Sequence, residues 1–230
     1  MAPAKLIVGG GPGPFDMSAG RSLACWTMDA RVAVLASGQG TNLQALMDDP
    51  VVGPWIALAV SDRRDAPALD RARARSVKAV FLDPAAYQDR PGYDRALRDL
   101  LESERIEYVA LAGFMRIVGP EVVGAYAARM LNVHPALLPA FPGTKAVADA
   151  LSWGAKVTGV TVHLVDEEVD HGPIVSQQAV EVRDDDDWDS LESRIHQAEH
   201  RLFPAAVRAL VEGRLKMDGR VVHVLEGSGE

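Results

Sequence analysis

Cysteine is nearly absent: of 230 residues only Cys25 carries a thiol. One thiol closes no internal disulfide and builds no cysteine-based metal site, so a reducing, cytoplasmic setting is expected and no metal is called for. Long apolar runs are missing too. No stretch approaches the ~20 residues that a membrane-spanning helix requires, so no membrane partner is expected. Residues 1–29 lack the apolar core of a signal peptide and hold Gly9-Gly10-Gly11-Pro12-Gly13-Pro14 instead. They are expected to form a disordered extension, with Met28 as a candidate alternative start. Positive charge is not in excess either: 24 Lys and Arg against 32 Asp and Glu give a net charge of −8. Nucleic-acid binders usually carry a basic face, so none is expected as a partner. An acidic chain can still hold a small phosphate through backbone N–H groups and a helix dipole. Internal repeats and low-complexity linkers are also lacking. The expectation is one domain over 30–217, then a tail over 218–230 with room for a short strand.

What is present is a 48% hydrophobic, 24% charged chain, enough for one α/β core. Short apolar runs alternate with helix-prone segments. Strands are predicted at 31–36, 55–60, 77–82, 108–113 and 130–134, with helices near 43–47, 66–76 and 93–103. Strands of 4–8 residues separated by helices imply βαβ units and a parallel sheet covered on both faces. After Pro142-Gly143 the pattern changes. A helix over about 144–153 leads to strands at 159–166 and 174–182, a long helix over 188–211, and a short strand at 221–226. The predicted class is α/β: Rossmann-like, a mostly parallel sheet flanked by helices, with a mixed C-terminal part.

Ser37-Gly38-Gln39-Gly40-Thr41-Asn42 joins the first strand to the first helix. Such a turn offers free backbone N–H groups and a positive helix end at the carboxyl edge of the sheet, where phosphate collects. A dinucleotide fingerprint fails because Leu43 stands where its third glycine belongs, although Asp62 ends the second strand as a ribose-binding acid would. The plainer reading is a tight turn capped by Thr41 or Asn42.

Asn132-Val133-His134-Pro135 carries the most chemistry. Two apart on one strand, Asn132 and His134 share a face ~7 Å apart. Pro135 ends that strand, which puts the pair at its carboxyl end, where open α/β sheets bind ligands. An amide can donate to a developing oxyanion. An imidazole can do the same or move a proton. That combination suits acyl transfer. A protonated imidazole benefits from a nearby carboxylate, and Val165-Asp166-Glu167-Glu168-Val169-Asp170-His171-Gly172-Pro173 supplies candidates. From sequence alone Asp170 reads first as a turn-former. A metal site from His134, His163, Asp170 and His171 finds no supporting spacing.

Four motifs in order complete the pattern: Ser37 to Leu46, Leu111-Ala112-Gly113-Phe114-Met115-Arg116-Ile117, Asn132 to Pro135 with Leu137-Leu138-Pro139, and Val165 to Pro173. Over about 31–217 the chain resembles the phosphoribosylglycinamide formyltransferase family, folate-dependent enzymes of purine synthesis. The resemblance implies a formyltransferase fold and 10-formyltetrahydrofolate as formyl donor to glycinamide ribonucleotide, in a monomer or homodimer. It makes Asn132, His134 and Asp170 the catalytic set, with Asp170 keeping His134 protonated. Gly40, Thr41, Asn42, Leu43 and Gln44 match the substrate phosphate loop, and Glu199 matches a contact to the glycinamide. Met115, Arg116, Ile117 and Val118 match the pterin pocket, Arg90 a basic group near the folate tail, and Asp166, Glu167, Glu168, Val169 and Asp170 its opposite wall. The sequence departs from the pattern at His171, where a small residue is expected, at Lys145, where many relatives have histidine, and in the N-terminal extension. Rival readings are a formyltetrahydrofolate hydrolase sharing the Asn-His-Asp set, and a non-catalytic nucleotide-binding module.

Overall fold

A computed structural model describes residues 30–227. The expected extension over 1–29, with Cys25 and Met28, lies outside the described residues.

Five short strands build the parallel half of the sheet: β1 (Val32–Leu35), β2 (Ile56–Ser61), β3 (Lys78–Phe81), β4 (Tyr108–Leu111) and β5 (Met130–His134). The connecting helices are α1 (Thr41–Asp48), α2 (Pro67–Ala74), α3 (Arg90–Ser103) and α4 (Pro120–Ala125). Then come α5 (Ala146–Ser152), β6 (Val157–Leu164), β7 (Ile174–Glu181), α6 (Trp188–Val211), β8 (Leu215–Asp218) and β9 (Val221–Val224). The seven-stranded order is β3-β2-β1-β4-β5-β6-β7, with β6 and β7 antiparallel to their neighbours. The mixed C-terminal part expected from sequence is therefore this antiparallel pair, laid against β5.

Alternation along β1 sends Val32 and Val34 into one apolar layer and Ala33 and Leu35 into the other. The first layer takes Leu43 and Leu46 of α1, Leu69 of α2, Val147 of α5 and Phe203 of α6. The second takes Tyr93, Leu97 and Leu101 of α3 and Val122 of α4. Each such side chain contributes about 1.5–3 kcal/mol over its exposed state. This two-sided burial explains why the strands read as continuous apolar runs.

Two elements were not foreseen, α4 and β8. The expected final strand exists as β9, but it pairs with β8 in a separate hairpin. That hairpin spans the expected 217/218 boundary. Among the described residues no helix is long and apolar enough to cross a membrane.

Candidate active site

The carboxyl ends of β1, β4 and β5 open into a cleft of about 600 Å³. Its walls are the segment after β4, the loop after β5, the 165–170 loop and one face of α6. On α6 that face consists of Trp188, Glu192, Ile195, His196 and Glu199, whose three- and four-residue spacings put all on one side.

Asn132 and His134 fall where the sequence put them, on the last turns of β5. The antiparallel register sets His163 of β6 directly opposite Asn132, and Thr161 opposite His134. Thr161 braces the loop that follows β5. Its hydroxyl accepts from Leu138 N–H at 3.0 Å and donates to the Ala136 carbonyl at 2.7 Å.

Asp170 is the hub. Its backbone takes a left-handed φ of 53°, a conformation that aspartate tolerates better than most residues. One carboxylate oxygen accepts from Gly143 N–H at 2.7 Å and lies 3.4 Å from His134 Nδ1. The other accepts from Asn132 Nδ2 at 3.3 Å and lies 3.7 Å from His163 Nε2. Of the two sequence readings of Asp170, the cluster geometry favours the chemical one over a bare turn-former. Burial alone would raise its pKa. His163 when Nε2 carries a proton, the Gly143 N–H and the neighbouring His134 outweigh that and hold it below the usual carboxylate range.

Ring tautomers follow from carbonyl partners, which only accept. His163 Nδ1 faces the Leu164 carbonyl at 2.8 Å and so carries the hydrogen. Its Nε2 is then free to accept from Asn132 Nδ2 at 3.1 Å. Both Asn132 amide hydrogens are thus engaged, the longer bond running to Asp170. His134 Nε2 donates to the Phe141 carbonyl at 2.8 Å, so the atom that gains or loses a proton is Nδ1, facing Asp170. His134 is only 4% exposed and does not itself line the cleft; its neighbours Val133 and Pro135 do. Burial lowers its pKa, and Asp170 and the Phe141 carbonyl offset this only in part. Asp170 thus pulls toward the protonated form, as the sequence reading expects, and desolvation pulls the other way by more.

The glycine loop behaves differently from the simple turn. Gly40 is the N-cap of α1, with a left-handed φ of 72° and no side-chain cap, so neither Thr41 nor Asn42 caps the helix. A Cβ on Gly40 would stand 2.7 Å from Ala68 of α2, so glycine is required by packing as well as by φ. An uncapped α1 leaves its first N–H groups without a side-chain acceptor at the sheet edge, as an anion site needs. Leu43 is wholly buried in the core and would reach a ligand through backbone only, while Gln44 turns its side chain to Asp48 and its N–H to the Gly40 carbonyl. Asn42 instead reaches 157 residues along the chain, donating through Nδ2 to Glu199 Oε2 at 2.8 Å. Its own Oδ1 is buried with no partner. Glu199 is 4% exposed, and burial raises its pKa against the opposing pull of Asn42 and His196. Two buried acceptors side by side form a receptor for a group rich in N–H donors.

Met115, Arg116, Ile117 and Val118 line the cleft, as do Asp166, Glu167, Glu168, Val169 and Asp170 on the facing loop. Arg90 does not line it; its Nε lies 3.6 Å from Asp94 Oδ2 on α3. His171 turns away from the Asp170 cluster and pairs with Asp166 at 2.9 Å, which takes it out of the four-residue metal set weighed above. Lys145 borders the cleft. Sequence reasoning passed over His163 as a partner of Asn132, and Trp188, Glu192 and His196 as wall residues. The spacing along α6 was a legible signal for the last three.

Compared with known proteins, residues 30–207 match the formyl transferase family profile. A phosphoribosylglycinamide formyltransferase of Mycobacterium tuberculosis (strain ATCC 25618 / H37Rv) is 46% identical over 193 residues, covering 83% of this chain and 89% of that protein. One from Bacillus subtilis (strain 168) is 38% identical over 184 residues, covering 79% and 94%. Among solved structures, glycinamide ribonucleotide transformylase 1 from Symbiobacterium toebii superposes with a TM-score of 0.85 at 45% identity, covering 91% of this chain and all of that one.

Proposed function

The chain belongs to the formyl transferase family, and on that premise we propose that it moves the formyl group of 10-formyltetrahydrofolate onto the amine of glycinamide ribonucleotide. The step belongs to purine biosynthesis. The observation that carries the reading is the adjacency, in one cleft, of the Asn132–His163–Asp170 network, with His134 behind it, and the Asn42–Glu199 acceptor pair.

The amine of the nucleotide docks as a donor on Glu199 and Asn42 Oδ1, with its phosphate on the N–H groups at the start of α1. The amine nitrogen attacks the formyl carbon and a tetrahedral oxyanion forms. Asn132 turns its longer, weaker bond from Asp170 to that oxygen. The new negative charge raises the proton affinity of His134 Nδ1, so the imidazolium arises when charge develops rather than beforehand. As the tetrahedral centre collapses, the bond to folate N10 breaks. The amine nitrogen gives up one proton, N10 takes one, and Asp170 with His134 carries the exchange. The pterin lies against the Met115–Val118 segment and the 165–170 loop. The Arg90 assignment to the folate tail requires its side chain to leave Asp94. The same reading takes 30–217 as one domain, active in the cytosol as monomer or homodimer on two small molecules, with no metal.

The hydrolase alternative leaves the Asn42–Glu199 pair without a purpose, since water needs no such receptor. A binding module gives no reason for the Asp170 network. An absorbance assay with 10-formyl folate separates the three. Deformylation that depends on glycinamide ribonucleotide is expected; deformylation without it would instead establish the hydrolase, and no turnover with nucleotide bound would establish the module.

A further inference from the structure

The segment Gly113–Val118 bounds the cleft; Phe114 and Val118 pack against the second apolar layer and Arg116 lies over the Tyr93 ring, but the side chains between them hold little. Met115 is 61% exposed and Ile117 56%. At Met115 the position is set by the backbone, and the anchor there arises in another part of the chain. Ser37, at the head of the glycine loop, is 2% exposed. Its N–H donates to the Gly113 carbonyl at 3.0 Å, and its Oγ accepts from Met115 N–H at 2.8 Å. That hydroxyl has a single hydrogen, which goes to Asp62 Oδ1 at 2.5 Å. The carboxylate at the end of β2 therefore aims the Ser37 lone pairs at Met115. At the far end, Asp94 accepts a hydrogen bond from Gly119 N–H, and a Cβ on Gly119 would fall 2.0 Å from Asp94 Oδ2. The segment is pinned at both ends.

We propose that Asp62 and Ser37 are positioning residues for the folate half of the site, although by sequence Ser37 belongs to the nucleotide loop and Asp62 stands where a ribose-binding acid would. The inference rests on the function proposed above. Asp62 does not touch a ligand; it acts through Ser37 on the backbone that the pterin lies against.

The test measures KM for both substrates in the full chain carrying Asp62→Ala, Asp62→Asn or Ser37→Ala. Loss of one net hydrogen bond corresponds to roughly three- to tenfold. Asp62→Ala and Ser37→Ala should raise the folate KM by that factor, with kcat and the nucleotide KM changed by less than about twofold. Asp62→Asn keeps an oxygen that accepts from Ser37, and should restore the wild-type folate KM. Asp62 is half-buried, so its alanine variant reports even where Ser37→Ala folds poorly. A rise confined to the nucleotide KM, or a folate KM unchanged in Asp62→Ala, overturns the inference while wild type remains active. A wild-type chain without amine-dependent turnover overturns the functional reading itself, and this one with it.

Discussion

At the scale of single residues the decisive balance is at His134, where burial pulls the pKa down and Asp170 pulls it up. The sign of a test follows directly. Removing the Asp170 charge removes the upward pull, so His134 loses its proton at lower pH than in wild type. In Asp170→Asn the limb of kcat/KM that reports His134, the acid limb if its neutral form is the active one, should move to lower pH, and the rate should fall by about 10²-fold or more. A mutant profile superposable on wild type would remove Asp170 from the proton pathway. Asn132 and His134 were legible because a two-residue spacing on a strand before proline fixes both face and position. His163 was not, because its place opposite Asn132 depends on β5–β6 register, and a one-residue slip would have turned it to the other face. Asn42 misled as a cap: a polar residue at a helix start reads as one, whereas Gly40 is the N-cap and the fold brings Glu199 within 2.8 Å of Asn42.

At the scale of elements, α6 presents the longest wall of the cleft, and its start is fixed by a reciprocal cap. Asp187 accepts from Ser190 N–H at 2.8 Å, and Ser190 Oγ accepts from Asp187 N–H at 3.0 Å. Trp188 and Glu192 follow at once, so fraying here would disturb the cleft. Asp187→Ala should lower stability, as the loss of an N-cap does. The urea midpoint measures it, and an unshifted midpoint would show that tertiary packing alone holds this end. Long periodic segments such as α6 were legible to their ends. The six-residue α4 was not, since Pro120 and Gly124 punctuate a stretch too short to show a period. The β8–β9 hairpin did carry a signal that went unread, Asp218-Gly219, with Gly219 at a φ of 57°.

At the scale of the molecule, the parallel half of the sheet supplies the glycine loop and the carboxyl-end position of Asn132. The antiparallel half supplies His163, and the connection between its two strands supplies Asp170. Neither half holds the cluster alone, which explains why the fold class was readable from alternating strands and helices while the assembled site was not. Ser37 and Asp62 show the same thing at the seam between the two proposed substrate regions. The loop read for one ligand anchors the wall read for the other. The central claim is that a formyl carbon passes from folate to the nucleotide amine within this cleft. Carbon-13 NMR of the full chain with 10-[¹³C]formyl folate and glycinamide ribonucleotide follows that carbon directly. The account predicts a formamide signal on the nucleotide appearing as the folate signal declines; the label emerging as free formate would contradict it.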